Sequence, residues 1–163
     1  MTLKVQSPYI DDETRSKGIG NLIQDFIKDE WDVEDIPIDD VKIGYDGSNI
    51  LQSGKTITLK AYPYSSLEDK WEISGQRRLF RDAVQIDVYM LDNNLKYGNN
   101  DTRAVKILTF LRDLFIINQR DLKRGIFQVE KIFDNIEKDP VKNNITHIIF
   151  QIRLFYIWDI VNV

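Results

Sequence analysis

Residues 145–161 read ITHIIFQIRLFYIWDIV, and their alternation sets what the rest of the fold must supply. From Thr146 every second residue is Ile148, Phe150, Ile152, Leu154, Tyr156, Trp158 and Ile160, a nearly unbroken apolar row. The intervening positions begin mixed, with Ile149, Gln151 and Arg153, and turn apolar at Phe155 and Ile157. A period of two is that of a β-strand, whose successive side chains point to opposite faces of a sheet. At ~3.3 Å per residue this run would span about 55 Å, against a diameter of roughly 40 Å for a globule of this chain length. The strand is therefore expected to bend, with a bulge, or to project. Its outer half, Leu154–Ile160, is apolar on both faces apart from Asp159. Such a segment needs cover, from a partner surface if it lies exposed, or from both sides of its own fold if it is a central strand.

Upstream, apolar residues at Ile19, Leu22, Ile23, Phe26 and Ile27 have the 3-4 spacing of one helix face within Asp12–Glu30, and Gly18 and Gly20 place the firm part of that helix from Asn21 onward. A loop with Asp32, Glu34, Asp35 and Pro37 follows. The β-like runs Val41–Asp46 and Thr56–Tyr62, separated by the turn-rich Gly47–Gly54, predict a hairpin that Pro63 ends. Tyr64–Gly75 (YSSLEDKWEISG) has no sustained period and predicts an extended loop. Gln76–Asp92 predicts a strand with Val84, Ile86, Val88 and Met90 on one face and Gln85, Asp87 and Tyr89 on the other. After the turn Asp92–Asp101, Ala104, Ile107, Leu108, Leu111, Leu114 and Phe115 mark a second helix, with Asn100 or Asp101 as its N-cap. Ile126–Phe133 predicts one more strand before the polar turn around Pro140. The expected fold is a single α+β domain over 1–163: a mainly antiparallel sheet of about 4–5 strands with two principal helices packed on it.

Composition narrows the function. The 163 residues carry 26 acids against 22 bases, a net charge of −4, which argues against a dedicated nucleic-acid binder with a clustered basic face. With no cysteine, disulfides, thiolate catalysis and cysteine zinc sites are excluded, as fits synthesis in a reducing compartment. Met1–Tyr9 lacks the basic start and apolar stretch of a signal peptide. Ile148–Trp158 is too short and, with Gln151 and Arg153, too polar to cross ~30 Å of hydrocarbon, so a soluble protein is expected.

Few residues suggest chemistry. Ser53-Gly54-Lys55-Thr56 matches the end of a phosphate-binding loop, but Asn49 stands where its first glycine belongs, and the strand-like ITLKAY follows where a helix is needed. A hairpin turn is the better reading. Asp46 and Lys60 suggest a magnesium nuclease site, but Thr58 stands where a second acid is required. His147, the sole histidine, has no relay partner at a telling spacing and reads as a polar residue near the start of a strand. No catalytic, cofactor-binding or metal-binding residue is therefore assigned, and no enzyme is expected. Arg77, Arg78 and Arg81 precede a strand, and Arg103, Lys106 and Arg112 fall on the polar side of the second helix; a solvated face, or contact with phosphate or acids, accounts for either set. Trp71 anchors an interface or folds back on the core.

This order of elements resembles the tail terminator, or tail completion, proteins of long-tailed phages and related archaeal viruses. In that family an N-terminal helix leads into a hairpin, a strand usually preceded by an arginine, a helix packed on the sheet and a closing pair of strands. The matching segments here are Asn21–Glu30, the hairpin ending Ala61-Tyr62-Pro63, Arg78–Met90 (RLFRDAVQIDVYM), Thr102–Asn118 and Ile145–Val161, together most of the chain. The loop Tyr64–Gly75 and the long last strand stand apart from the pattern. The resemblance implies a structural virion protein of tail or neck, assembled in the host cytoplasm. It implies a homo-oligomer, a hexameric ring, that caps the tail tube, joins the head-tail connector and lets DNA pass its lumen without specific binding. The residues expected at the subunit interface are Arg77, Arg78, Arg81, Leu154, Phe155, Tyr156, Ile157 and Trp158, and Glu68, Lys70 and Trp71 form the loop expected to meet tube or connector. The alternatives are another head-tail connector or neck adaptor, or a small magnesium-dependent nuclease using Asp46 and Lys60.

Overall fold

Over Ile145–Asp159 the alternation becomes an inner strand of a five-stranded sheet. A computed structural model describes residues 18–44, 57–70, 77–91, 100–117, 126–138 and 145–159. The elements are α1 (Ile19–Asp29), a 3₁₀ turn (Ile38–Asp40), β1 (Val41–Ile43), β2 (Ile57–Lys70), β3 (Arg77–Leu91), α2 (Asn100–Arg112), a π turn (Asp113–Ile117), β4 (Ile126–Lys138) and β5 (Ile145–Asp159). The sheet order is β1-β2-β3-β5-β4. It is a mixed, mostly antiparallel sheet with two helices: β2–β3, β3–β5 and β5–β4 run antiparallel and β1–β2 runs parallel.

Both helices lie on one face. The apolar stripe of α1 (Ile19, Leu22, Ile23, Ile27) and that of α2 with its π turn (Ala104, Ile107, Leu108, Leu111, Leu114, Phe115) close over Leu59, Ile86, Val88, Ile148, Phe150 and Ile152 in one core. Removing such side chains from water contributes about 1.5–3 kcal/mol each. Aromatic contacts join the layers, Phe26 to Phe115 and Phe115 to Phe150, each with ring centroids 6.0 Å apart. The helix begins two residues before Asn21, and the glycines expected to weaken its start have defined tasks. Gly18 takes φ +84°, a left-handed conformation costly for other residues, and Gly20 lies so close to β2 that a Cβ there would sit 2.8 Å from the Ala61 carbonyl oxygen.

Three expectations change. The predicted hairpin is a parallel pair, Val41 beside Ile57 and Ile43 beside Leu59. A tight turn reverses a chain, whereas the dozen or so residues between these strands give the length that a parallel crossover requires. Secondly, Tyr64–Lys70 is the second half of β2, paired with β3 as far as Lys70–Arg78, with a bulge at Tyr64. Pro63 does not end the strand, for a reason visible at Ala61. The Ala61 N–H points away from β3 and donates to Gln24 Oε1 of α1 at 2.9 Å. Two residues on, the missing N–H of Pro63 falls on the same outer side, where β1 no longer reaches, so no ladder bond is lost.

Thirdly, β5 carries no bulge against β3 and does not project alone. Its pairing with β3 is unbroken from Leu91–Ile145 to Arg77–Asp159, and its two neighbours run beside it for most of its 15 residues, with 15 residues in β3 and 13 in β4. The bulges fall in β2 and β4. Leu154 and Tyr156, expected at a subunit interface, are buried in the core of the chain itself. Tyr156 stacks on Phe80 and donates its hydroxyl to Asp82 Oδ2 at 2.7 Å. Burial, then the hydrogen bond to this carboxylate and its charge, push the phenol well above its ordinary value. Asp82, itself buried, also accepts from the Ser66 hydroxyl, so β2, β3 and β5 are tied where the sheet extends furthest.

Candidate functional site

The sheet face opposite the helices is polar and cross-linked, and it gathers most of the chemistry of the described residues. Alternation and register place its rows: Thr58, Tyr89, His147 and Glu137; then Lys60, Asp87, Ile149 and Asn135; then Tyr62, Gln85, Gln151 and Phe133; and, further out, Arg81 and Phe155.

Asp87 is the hub. Its Oδ2 accepts from the Tyr62 hydroxyl at 2.7 Å, and its Oδ1 accepts from Gln85 Nε2 at 2.9 Å and lies 2.8 Å from His147 Nε2. On the other side of the imidazole, Nδ1 lies 3.3 Å from Glu137 Oε1. His147 of β5 thus bridges Asp87 of β3 and Glu137 of β4. Tyr89 stacks on it, with ring centroids 4.2 Å apart and planes within 8°. The network continues as Gln151 Nε2 donates to Gln85 Oε1 at 2.9 Å and the Tyr64 hydroxyl to Gln151 Oε1 at 3.2 Å. Burial by itself would raise the Asp87 carboxyl; the hydrogen bonds from His147, Tyr62 and Gln85, with the His147 charge, outweigh it and hold the group below its ordinary value.

This arrangement cross-links β2, β3, β5 and β4. Both Asp87 oxygens and both His147 nitrogens already have protein partners. Among the described residues, no group of three or more His, Asp or Glu side chains is placed to hold a metal ion. Lys60 stands opposite Asp87 in the register, so the expected nuclease lysine does meet an acid. That acid is the saturated hub, and Asp46 lies outside the described residues, as do Lys55 of the phosphate-loop-like run and Trp71.

The other expected contact residues divide. Arg81 and Phe155 share one row and are half-buried on the open face. Arg77 pairs with Asp159, Arg78 with Trp158 and Leu79 with Ile157. Glu68 pairs with Phe80 and Lys70 with Arg78, in a strand rather than a loop. Of the three bases expected on the polar side of α2, Arg103 is a correction: it is fully buried and donates to the Leu91 carbonyl at 2.6 Å. It stands one turn before Ile107, so helical spacing already placed it on the apolar face. Lys106 binds Asp35 at 3.1 Å, and Arg112 grips Asp134 with two bonds of 2.8 Å. The residues that sequence reading missed, Asp87, Tyr62 and Glu137 around His147, carry no local signal; only strand pairing brings them together. No helix among the described residues is long and apolar enough to cross a membrane.

No family model matches the chain, and a search of curated proteins returns no match.

Proposed function

We propose that the chain is a structural ring subunit of the tail-terminator type, which caps a tail tube and joins it to the head connector. The observation that carries this reading is the sheet face opposite the helices, on which no described helix packs. It is four strands wide, it carries the network around Asp87, His147, Gln85 and Gln151, and it bears exposed Tyr64 and Phe133. Such a face suits contact with another rigid surface better than binding and release of a substrate. The element order supports the same reading: a leading helix, an arginine-led β3, a helix packed on the sheet, and β4 and β5 as the closing pair. Beyond Leu59 the outer edge of β2 has no strand partner among the described residues, which leaves an edge for a neighbouring subunit.

In this reading copies meet through Arg81 and Phe155 and the strand ends that hold Arg77, Arg78, Ile157 and Trp158, while the β2 end with Glu68 and Lys70, leading to Trp71, meets tube or connector. Net negative charge keeps passing DNA from sticking to the lumen. Mass photometry at micromolar concentration, alone and with purified tail tubes, tests the proposal. A hexameric ring is expected, lost in Phe155→Ser with the circular dichroism unchanged. A chain that stays monomeric in both conditions sinks it, and so does metal-dependent DNA cleavage that Lys60→Ala abolishes.

A further inference from the structure

On the helix side, away from the open sheet face, a groove of about 510 Å³ runs between the segment leaving α1 and the flank of α2. Its floor is apolar: Val33 and Leu114 are buried, Phe110 is half-buried and Val105 is 56% exposed. An exposed valine in mid-helix, beside a phenylalanine that the core does not fully take up, is apolar surface left in water. The rim is acidic, formed by Glu30, Asp32, Glu34 and Asp113. Its one base, Lys106, is held by Asp35 at 3.1 Å and lies 3.9 Å from Glu34. Glu30, Asp32 and Asp113 make no ion pair among the described residues.

The groove is also stiff. Trp31 donates its indole N–H to the Ile36 carbonyl at 2.8 Å and packs on Phe110 with ring centroids 5.1 Å apart. A bridge joins Val33 to Ile36, and Asp35, at φ 62°, reaches Lys106. The acids of the 30–35 segment are therefore presented by a braced turn, so little ordering cost would attend binding.

An apolar floor under a rim in which Glu30, Asp32 and Asp113 are left without an ion pair among the described residues has one natural complement among side chains: a long base, whose methylene stem lies on the floor while its cationic head reaches those acids. Arginine fits best, since its flat guanidinium also stacks on an aromatic ring such as Phe110. We infer that this groove docks a polypeptide segment of another protein that carries arginine or lysine beside apolar anchors. The inference is independent of the ring reading, because it uses a different face and predicts a heterologous partner.

The test titrates the ¹⁵N-labelled full chain with a capped arginine–leucine peptide, a matched glutamate–leucine peptide and spermidine. Saturable shifts are expected at the amides of Val105, Lys106 and Phe110 with the arginine peptide alone. The Asp32→Asn/Asp113→Asn double variant, which alters only exposed groups, is expected to weaken that binding by about tenfold. Shifts unchanged in the double variant, shifts spread over acids elsewhere, or no shift at all overturn the inference. Equal shifts with spermidine would make the groove a site for small polycations, and concentration-dependent shifts without any peptide would make a second copy its occupant; either outcome also overturns it.

Discussion

The helix-covered face and the open face of β5 are built from alternate residues of one 15-residue strand, yet different forces hold them. On the covered side Ile148, Phe150, Ile152 and Leu154 are wholly removed from water and held by packing. On the open side His147 and Gln151 are half-buried and held by polar contacts to Asp87, Glu137 and Gln85, while Arg153 forms a looser ion pair with Glu130 at 3.8 Å. A packed face resists any loss of volume. A bonded face resists the loss of a partner, and its strength varies with pH. Over its described residues, β5 is thus packed on one side and largely cross-linked on the other within the chain itself.

Substitutions of graded severity test this division. The largest effect is expected at Phe150→Ala, which empties the centre of the covered face and should cost about 3–5 kcal/mol in urea unfolding. A cost under about 1 kcal/mol would mean that the helices do not press on the sheet there. Next is Gly20→Ala. On a free helix alanine is favoured over glycine by about 1 kcal/mol; here the new methyl meets the Ala61 carbonyl, and a loss of about 1–3 kcal/mol is expected. A stabilised variant would show that α1 stands further from β2.

On the open face, Asp87→Asn should cost about 1–2 kcal/mol at neutral pH. Its signature is the pH dependence. Because the folded carboxyl lies below its ordinary value of 3.8, the wild-type contribution is complete above that value and is lost as pH falls through the lower folded value. The variant should lack this part of the acid limb, and stability profiles of the same shape in both proteins would remove Asp87 as the hub. The smallest effect is expected at Arg112→Ala. The Arg112 hydrogen bonds come first among the causes that hold Asp134 at about 2, followed by those of Lys131 and the two positive charges. That contribution is likewise present above 3.8 and lost as pH falls toward 2. Since Arg112 is well exposed, the loss should be no more than about 0.5–1 kcal/mol. Carboxyl NMR should find Asp134 moved back toward its ordinary value.

The residues that sequence reading placed well are those whose environment is set by local period. Ile148 to Leu154, Val84 to Met90 and the stripes of α1 and α2 all lie where alternation or 3-4 spacing puts them. Arg103 follows the same logic: its spacing to Ile107 puts it on the apolar face, although its charge suggests the polar one. Tyr64–Lys70 could not be read in this way. It has no period, and it is a strand only because β3 lies beside it.

The sequence by itself determined the two helices, the long strands β3 and β5 and the apolar face of each, since period and side-chain chemistry are properties of consecutive residues. Tertiary structure alone decided that β1 runs parallel to β2, that β5 lies inside the sheet, and that His147 stands between Asp87 and Glu137. The reason is that strand pairing is non-local. His147 and Asp87 are 60 residues apart in the chain and 2.8 Å apart in the fold, and no spacing in the sequence measures that distance.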